Sequence, residues 1–374
     1  ARAIATRTTV SAPRGLVDWD RAERIARRRL RNTPGHLTPA QLRMSEAAYG
    51  RHMDKVVPLL EERLGAKLPG VVERHAVVSR SQWATANMAT FKALIGHLEP
   101  HLTPRLREGS LSAGVAAATN RLVTTGQVGF LLGYLGSRVL GQYDVAMLSA
   151  EPEPGRLLYV EENSRATARA VDVPVDDFRL WVALHETTHA FEFEAHPWLR
   201  PYLRERMEQQ IALFVRETGR LRRHGVAHLA RRWRTAAAEG SIRGFLGPEQ
   251  RRLFKETQLV MSLLEGFSDW VMDEVGAEVL PDIPGIRRRF EARRGQRRRA
   301  IDRLMARLTG MDMKLEQYRR GERFVSGVYR VGGAVAIDHL WDGPETLPNE
   351  QEMDDPATWV RRVVPEAIEP GGAT

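Results

Sequence analysis

The 374-residue chain contains no cysteine. Disulfides are therefore excluded, and so is any zinc site built on thiolates, which leaves histidine and carboxylates as the strong metal ligands. Lysine is scarce: Lys55, Lys67, Lys92, Lys255 and Lys314 are the only ones among 56 basic residues. The formal charge of +9 thus rests on arginine, a bias that fits a GC-rich genome better than a nucleic-acid surface. The densest run, "IRRRFEARRGQRRRAIDRL" from Ile286, holds a single aromatic, Phe290, rather than a regular interleaving, and no nucleic-acid fold motif accompanies it. It reads as the solvated face of a charged helix, and nucleic acid is not an expected partner. Long apolar runs are also missing. The oiliest stretch, "VGFLLGYLGSRVL", falls short of the ~18 residues of a membrane span and is broken by Gly and Arg. With no apolar signal-type segment at the amino terminus either, a soluble, cytoplasmic protein is expected.

Helical periodicity dominates what is present. Thr38-Pro39 opens a helix that closes on Gly65. "SRSQWATANMATFKALIGHLEPHL" carries a helical apolar pattern to about Pro100, and "GPEQRRLFKETQLVMSLLEGFSDWVMDEVG" carries another from Pro248 to Gly276. "GVAAATNRLVTTGQVGFLLGYLGSRVLGQYD" is apolar nearly all round and is expected to form the buried centre. Strand signals are few; Leu157 to Val160 in "GRLLYVEEN" is the clearest. A mainly α chain with a small strand element follows, as one compact domain over 1–374 with flexible ends at 1–15 and 366–374.

One helix carries chemistry. "FRLWVALHETTHAFEFEAHPWL", preceded by a Pro174–Asp177 start, holds His185, Glu186 and His189 in an otherwise oily run. Residues four apart share a helical face, so both imidazoles can meet one ion while Glu186 lies alongside. This is the H-E-x-x-H arrangement of two zinc ligands and a general base. Buried histidines bonded to their neighbours would be the plain alternative, but two imidazoles and a carboxylate in so apolar a helix are costly without a compensating charge.

A catalytic zinc needs a third protein ligand. His196 is near, but the spacing fails: Ala195 stands at the ligand position and Glu192 where the bend wants Gly. Glu265 in "MSLLEGFSDWVMDE" is the better candidate. It sits on a strongly apolar helix, and Asp269 one turn later could accept the free N–H of a ligating histidine. With zinc polarising a carbonyl and activating water, Glu186 would carry the proton to the leaving amine. Tyr318 is the first choice for an additional donor to the oxyanion, ahead of Tyr329, His224 and His339.

The chain resembles the zincin-like metallopeptidases, chiefly actinobacterial proteins described as hydrolases or as associated with biosynthesis of a deazaflavin coenzyme. The resemblance runs from about residue 15 to 365 through "SRSQWATANMATF", "VLGQYD", "HETTHAFEF", "LLEGFSDWVMDE", "MKLEQYRRGERFV" and "LWDGPETLP" with "DPATWVRRV". It implies a largely helical zincin-like fold with His185, His189 and Glu265 as zinc ligands and Glu186 as base. It also implies a short strand bordering the cleft, which "LLYVEEN" fits, able to pair with an extended peptide or other amide substrate. A zinc-dependent hydrolase of the gluzincin type is the leading expectation. The competing one is a binding or assembly protein with a structural or vestigial zinc site, against which the intact Glu186 speaks.

Overall fold

The structure, a computed structural model, describes residues 15–102, 111–144, 155–224, 248–296 and 311–367. In chain order the elements are α1 (Trp19–Arg31), α2 (Pro39–Leu64), β1 (His75–Val78), α3 (Arg80–Leu102), α4 (Leu111–Gly136), β2 (Gly141–Asp144) and β3 (Arg156–Val160). There follow α5 (Glu161–Ala170), α6 (Val175–Ala195), α7 (Leu199–His224), α8 (Pro248–Glu274), α9 (Gly276–Val279), α10 (Ile283–Gln296), α11 (Met311–Asp338) and α12 (Pro356–Val363). Single 3-10 turns sit at His339–Trp341 and Pro365–Ala367. The protein is mainly helical, with a small mixed sheet. Among the described residues no helix is long and apolar enough to cross a membrane.

The contacts divide the chain into two compact units, residues 1–34 with 80–138, and residues 35–79 with 139–374. In the first, α1 begins on Asp18, whose carboxylate accepts the Arg21 N–H at 3.0 Å. Val17, Ala22 and Ala26 pack with Val128 and Leu132 of α4 into a small core. Arg80 is buried and donates to the Pro34 carbonyl at 2.9 Å. The sequence placed α4 at the centre of the protein. Instead Leu122 and Val123 are half exposed, and among the described residues Val128 and Leu132 of the helix join this small cluster rather than the large core. Apolar residues all round a helix permit burial on every side but do not require it.

The second unit contains the large core. α2 starts with a full capping box, Thr38 and Gln41 each satisfying the other's backbone, and ends on Gly65 in the left-handed region. α6 is buried on almost every side, from Phe178 and Leu180 to Ala190, Phe191 and Glu192. Its weak amphipathic pattern follows from that position. α8 runs against α11 where Gly266 and Gly321 face each other. Leu263, Leu264, Phe267, Phe324, Val325 and Val328 share one core with α6.

The sheet has the order β1-β3-β2. β3 is central, parallel to β1 (His75 opposite Leu157) and antiparallel to β2 (Gln142 opposite Leu158). This corrects the reading of "LLYVEEN" as the strand bordering a cleft. β3 is hydrogen-bonded on both sides, and Glu161 to Asn163 already belong to α5. Among the described residues the edge strand beside α6 is β2.

Candidate metal centre

α6 and α8 supply the site. His185 and His189 lie one turn apart on α6 with rings edge to face, centroids 4.7 Å apart and planes at 79°. Trp181, a turn earlier, stacks parallel to His185 at 6.2 Å. From α8, Glu265 brings a carboxylate oxygen to 3.7 Å from His185 Nε2. One ligand atom each from His185, His189 and Glu265 can be chosen so that all lie within 4.8 Å of one another. All three side chains are partly exposed. Bonds of ~2.0–2.2 Å from N and O to a cation are compatible with that spacing.

The surroundings call for positive charge. Glu186 is buried, and burial pushes its carboxyl up to about 7, with Glu265 adding to the effect while His189 and the Tyr143 N–H oppose it. Glu192, one turn beyond His189, is fully buried and places Oε2 2.7 Å from His189 Nδ1. Burial favours the neutral form of His189, but Glu192 and then Glu265 and Glu186 outweigh it and raise the imidazole. Three acids therefore surround two imidazoles. Burial pushes the Glu192 carboxyl up to about 7 against the opposing pull of His189. In its ionised form it can only accept, which puts a proton on Nδ1, and a cation that displaces the second imidazolium proton meets the Nε2 lone pair. The donor set fits zinc or a similar divalent metal.

β2 fixes Glu186 from the other side. A Cβ on Gly141 would stand 2.5 Å from Glu186 Cγ, and the Tyr143 N–H donates to the carboxylate. Further along, the Tyr143 hydroxyl donates to Glu194 of α6 at 2.7 Å, and Arg74 holds the same carboxylate at 2.7 and 2.8 Å. The edge strand is thus attached to α6 at both ends of a two-turn stretch. Neither Gly141 nor Glu192 was singled out for the site from sequence. Glu192 had a readable signal, since i and i+3 share a helical face; Gly141 had none without the sheet.

Among the other candidates, His196, Tyr329 and His339 make their contacts outside the three-residue cluster. Asp269 was expected at the free nitrogen of a ligating histidine; at His189 that place is taken by Glu192, with Ser268 Oγ at 3.3 Å. The Asp269 carboxylate lies 3.6 Å from Arg287, and burial lifts it to about 7 against the pull of that arginine. Arg287 opens the arginine run that the sequence assigned to a solvated face. It is mostly buried instead, and also donates to Asp273 at 2.8 Å and Glu322 at 3.1 Å, tying α10 to α8 and α11. Arg289 does face outward, beside Asp282, and residues 297–299 lie outside the described residues. His196 caps α6 and packs between Phe191 and Trp341. Tyr329 packs on Trp270 and His339 pairs with Asp342. Tyr318 and His224 lie on α11 and α7, their side chains outside the described residues.

Comparison with known proteins agrees with this geometry. A family described as zincin-like metallopeptidase matches residues 17–360. A crystal structure from Chloroflexus aurantiacus, described as that of a candidate hydrolase with a novel fold, is similar at 34% identity and a TM-score of 0.68. The match covers 92% of this chain and 98% of that one. No curated protein matches significantly. With the family pattern spanning nearly all of both units and the H-E-x-x-H helix at its centre, the chain belongs to the zincin-like metallopeptidase family.

Proposed function

We propose that the protein is a zinc-dependent hydrolase of amide bonds, a metallopeptidase, with His185, His189 and Glu265 holding the metal and Glu186 as general base. The observation that carries this reading is the convergence of one donor atom from each of the three residues, beside a buried carboxylate that coordination does not need. A structural site has no use for Glu186 in that position. Bound zinc supplies a Lewis acid for the scissile carbonyl and lowers the pKa of a water toward ~7. Glu186, held against Gly141 and by the Tyr143 amide, takes the proton of the attacking water and delivers it to the leaving amine. β2, an edge strand of the sheet among the described residues, lies next to this carboxylate, and in this reading an extended peptide substrate runs along it.

The test combines metal analysis with digestion of a peptide library. The purified protein should hold about one zinc per chain, as a single three-ligand site requires, and His185→Ala and Glu265→Ala should lose it. Glu186→Gln should keep the metal and abolish cleavage. A fully active Glu186→Gln enzyme, or zinc-loaded wild type that cleaves no peptide, would count against the assignment.

A further inference from the structure

We propose that Glu192 is the positioning residue for His189, holding the proton on Nδ1 so that Nε2 is presented to the metal; this rests on the metal site proposed above. Glu192 Oε2 lies 2.7 Å from Nδ1, within the range of a charge-assisted hydrogen bond. Ser268 Oγ, the other neighbour of Nδ1, is at 3.3 Å and is the weaker partner. Both residues are fully buried. A carboxylate without solvent has to be held by something, yet the second oxygen of Glu192, Oε1, has no hydrogen-bond partner among the described residues. The imidazole is the contact that accounts for its position.

The arrangement is local to one helix. Glu192 lies three residues after His189 on α6, so ligand and orienting carboxylate share a rigid frame. Asp269 reaches across from α8 to a different partner, Arg287. A ligating imidazole whose other nitrogen donates to a carboxylate is fixed in tautomer and ring orientation and becomes a more basic donor. Glu192 touches neither substrate nor metal in this scheme; it acts through His189.

Zinc affinity, measured by competition with a chromogenic chelator, tests the role in wild type, Glu192→Gln, Glu192→Leu and Ser268→Ala. Long-range proton–nitrogen NMR of the zinc-loaded wild type reads the tautomer of His189. The expected results are a protonated Nδ1 with Nε2 on the metal, and affinity weakened about 10- to 100-fold in Glu192→Leu. Glu192→Gln, which keeps an acceptor, should lose less, and Ser268→Ala less again. A Glu192→Leu variant with the wild-type circular dichroism and wild-type zinc affinity would overturn the proposal. So would a His189 bound through Nδ1, a result that needs no variant to fold. Wild type that binds no zinc would instead overturn the function proposed above, and this inference with it.

Discussion

Replacing Gly266 with alanine places a methyl group where two helices touch backbone to backbone. The new Cβ would stand 2.2 Å from the Gly321 carbonyl carbon, 2.5 Å from its oxygen and 2.6 Å from the Glu322 nitrogen. Carbon atoms in ordinary contact are about 3.5 Å apart, so α8 and α11 must separate by roughly 1.3 Å. No rotamer relieves this, because the opposing atoms are main chain. Overpacking of this kind costs about 1–3 kcal/mol and occasionally more; with backbone on the far side, the upper part of that range is expected. Helix propensity works the other way and would favour Ala over Gly by up to about 1 kcal/mol. The sign of the effect therefore discriminates. Urea unfolding of the metal-free proteins, followed by circular dichroism, should show a clearly lower midpoint for Gly266→Ala. Zinc affinity should fall too, because Glu265 is the adjacent residue and moves with the helix. An unchanged or raised midpoint would mean that the helices do not cross at Gly266 and Gly321, and the placement of Glu265 would lose its support.

The remaining predictions concern the other faces of α6. Gly141→Ala should retain zinc but reduce turnover on the best library peptide by about a hundredfold, the scale of a 1 Å misplacement. The reason is that its Cβ, 2.5 Å from Glu186 Cγ and 2.8 Å from the carboxyl carbon, drives the base off the Tyr143 amide; undiminished turnover would contradict that packing. His196 is lowered to about 4 by burial between Phe191 and Trp341, with Asp342 opposing. Its folded pKa lies below the ordinary ~6.5, so its contribution is complete above pH 6.5 and is lost as the pH falls from there toward 4. The loss is on the order of 3 kcal/mol at most, and unfolding midpoints of His196→Phe should decline less than wild type across that window. Parallel declines would remove His196 as the cause.

The legibility of the fold varied with the kind of signal. Helix ends written in side-chain chemistry were readable: Thr38 and Pro39 at the start of α2, Gly65 at its end, Pro174 before α6. β1 and β2 were not, because each is four residues long and depends on pairing with β3, a partner 82 residues from β1 in the register (His75 opposite Leu157). The large core was legible as a set of apolar helices but not in its arrangement. α4 looked the most buried and is not, while α6, carrying four charged or ionisable residues from His185 to Glu192, lies near the middle.

The juxtaposition of His185, His189 and Glu265 was readable because each sits in an apolar helix that an unpartnered charge would penalise. What the sequence could not rank was the set of acids around them. Asp269, on the neighbouring helix, was the acid expected at an imidazole, while Glu192, on the same helix, was read only as the residue standing where a bend would want Gly. Asp269 lies beside Arg287, the first arginine of a run that the sequence assigned to solvent. α10 carries it inward, where its guanidinium lies beside Asp269, Asp273 and Glu322. His189 Nδ1 meets Glu192 and Ser268. The surroundings of Asp269 therefore depend on the packing of a third helix, which no spacing along α6 or α8 records.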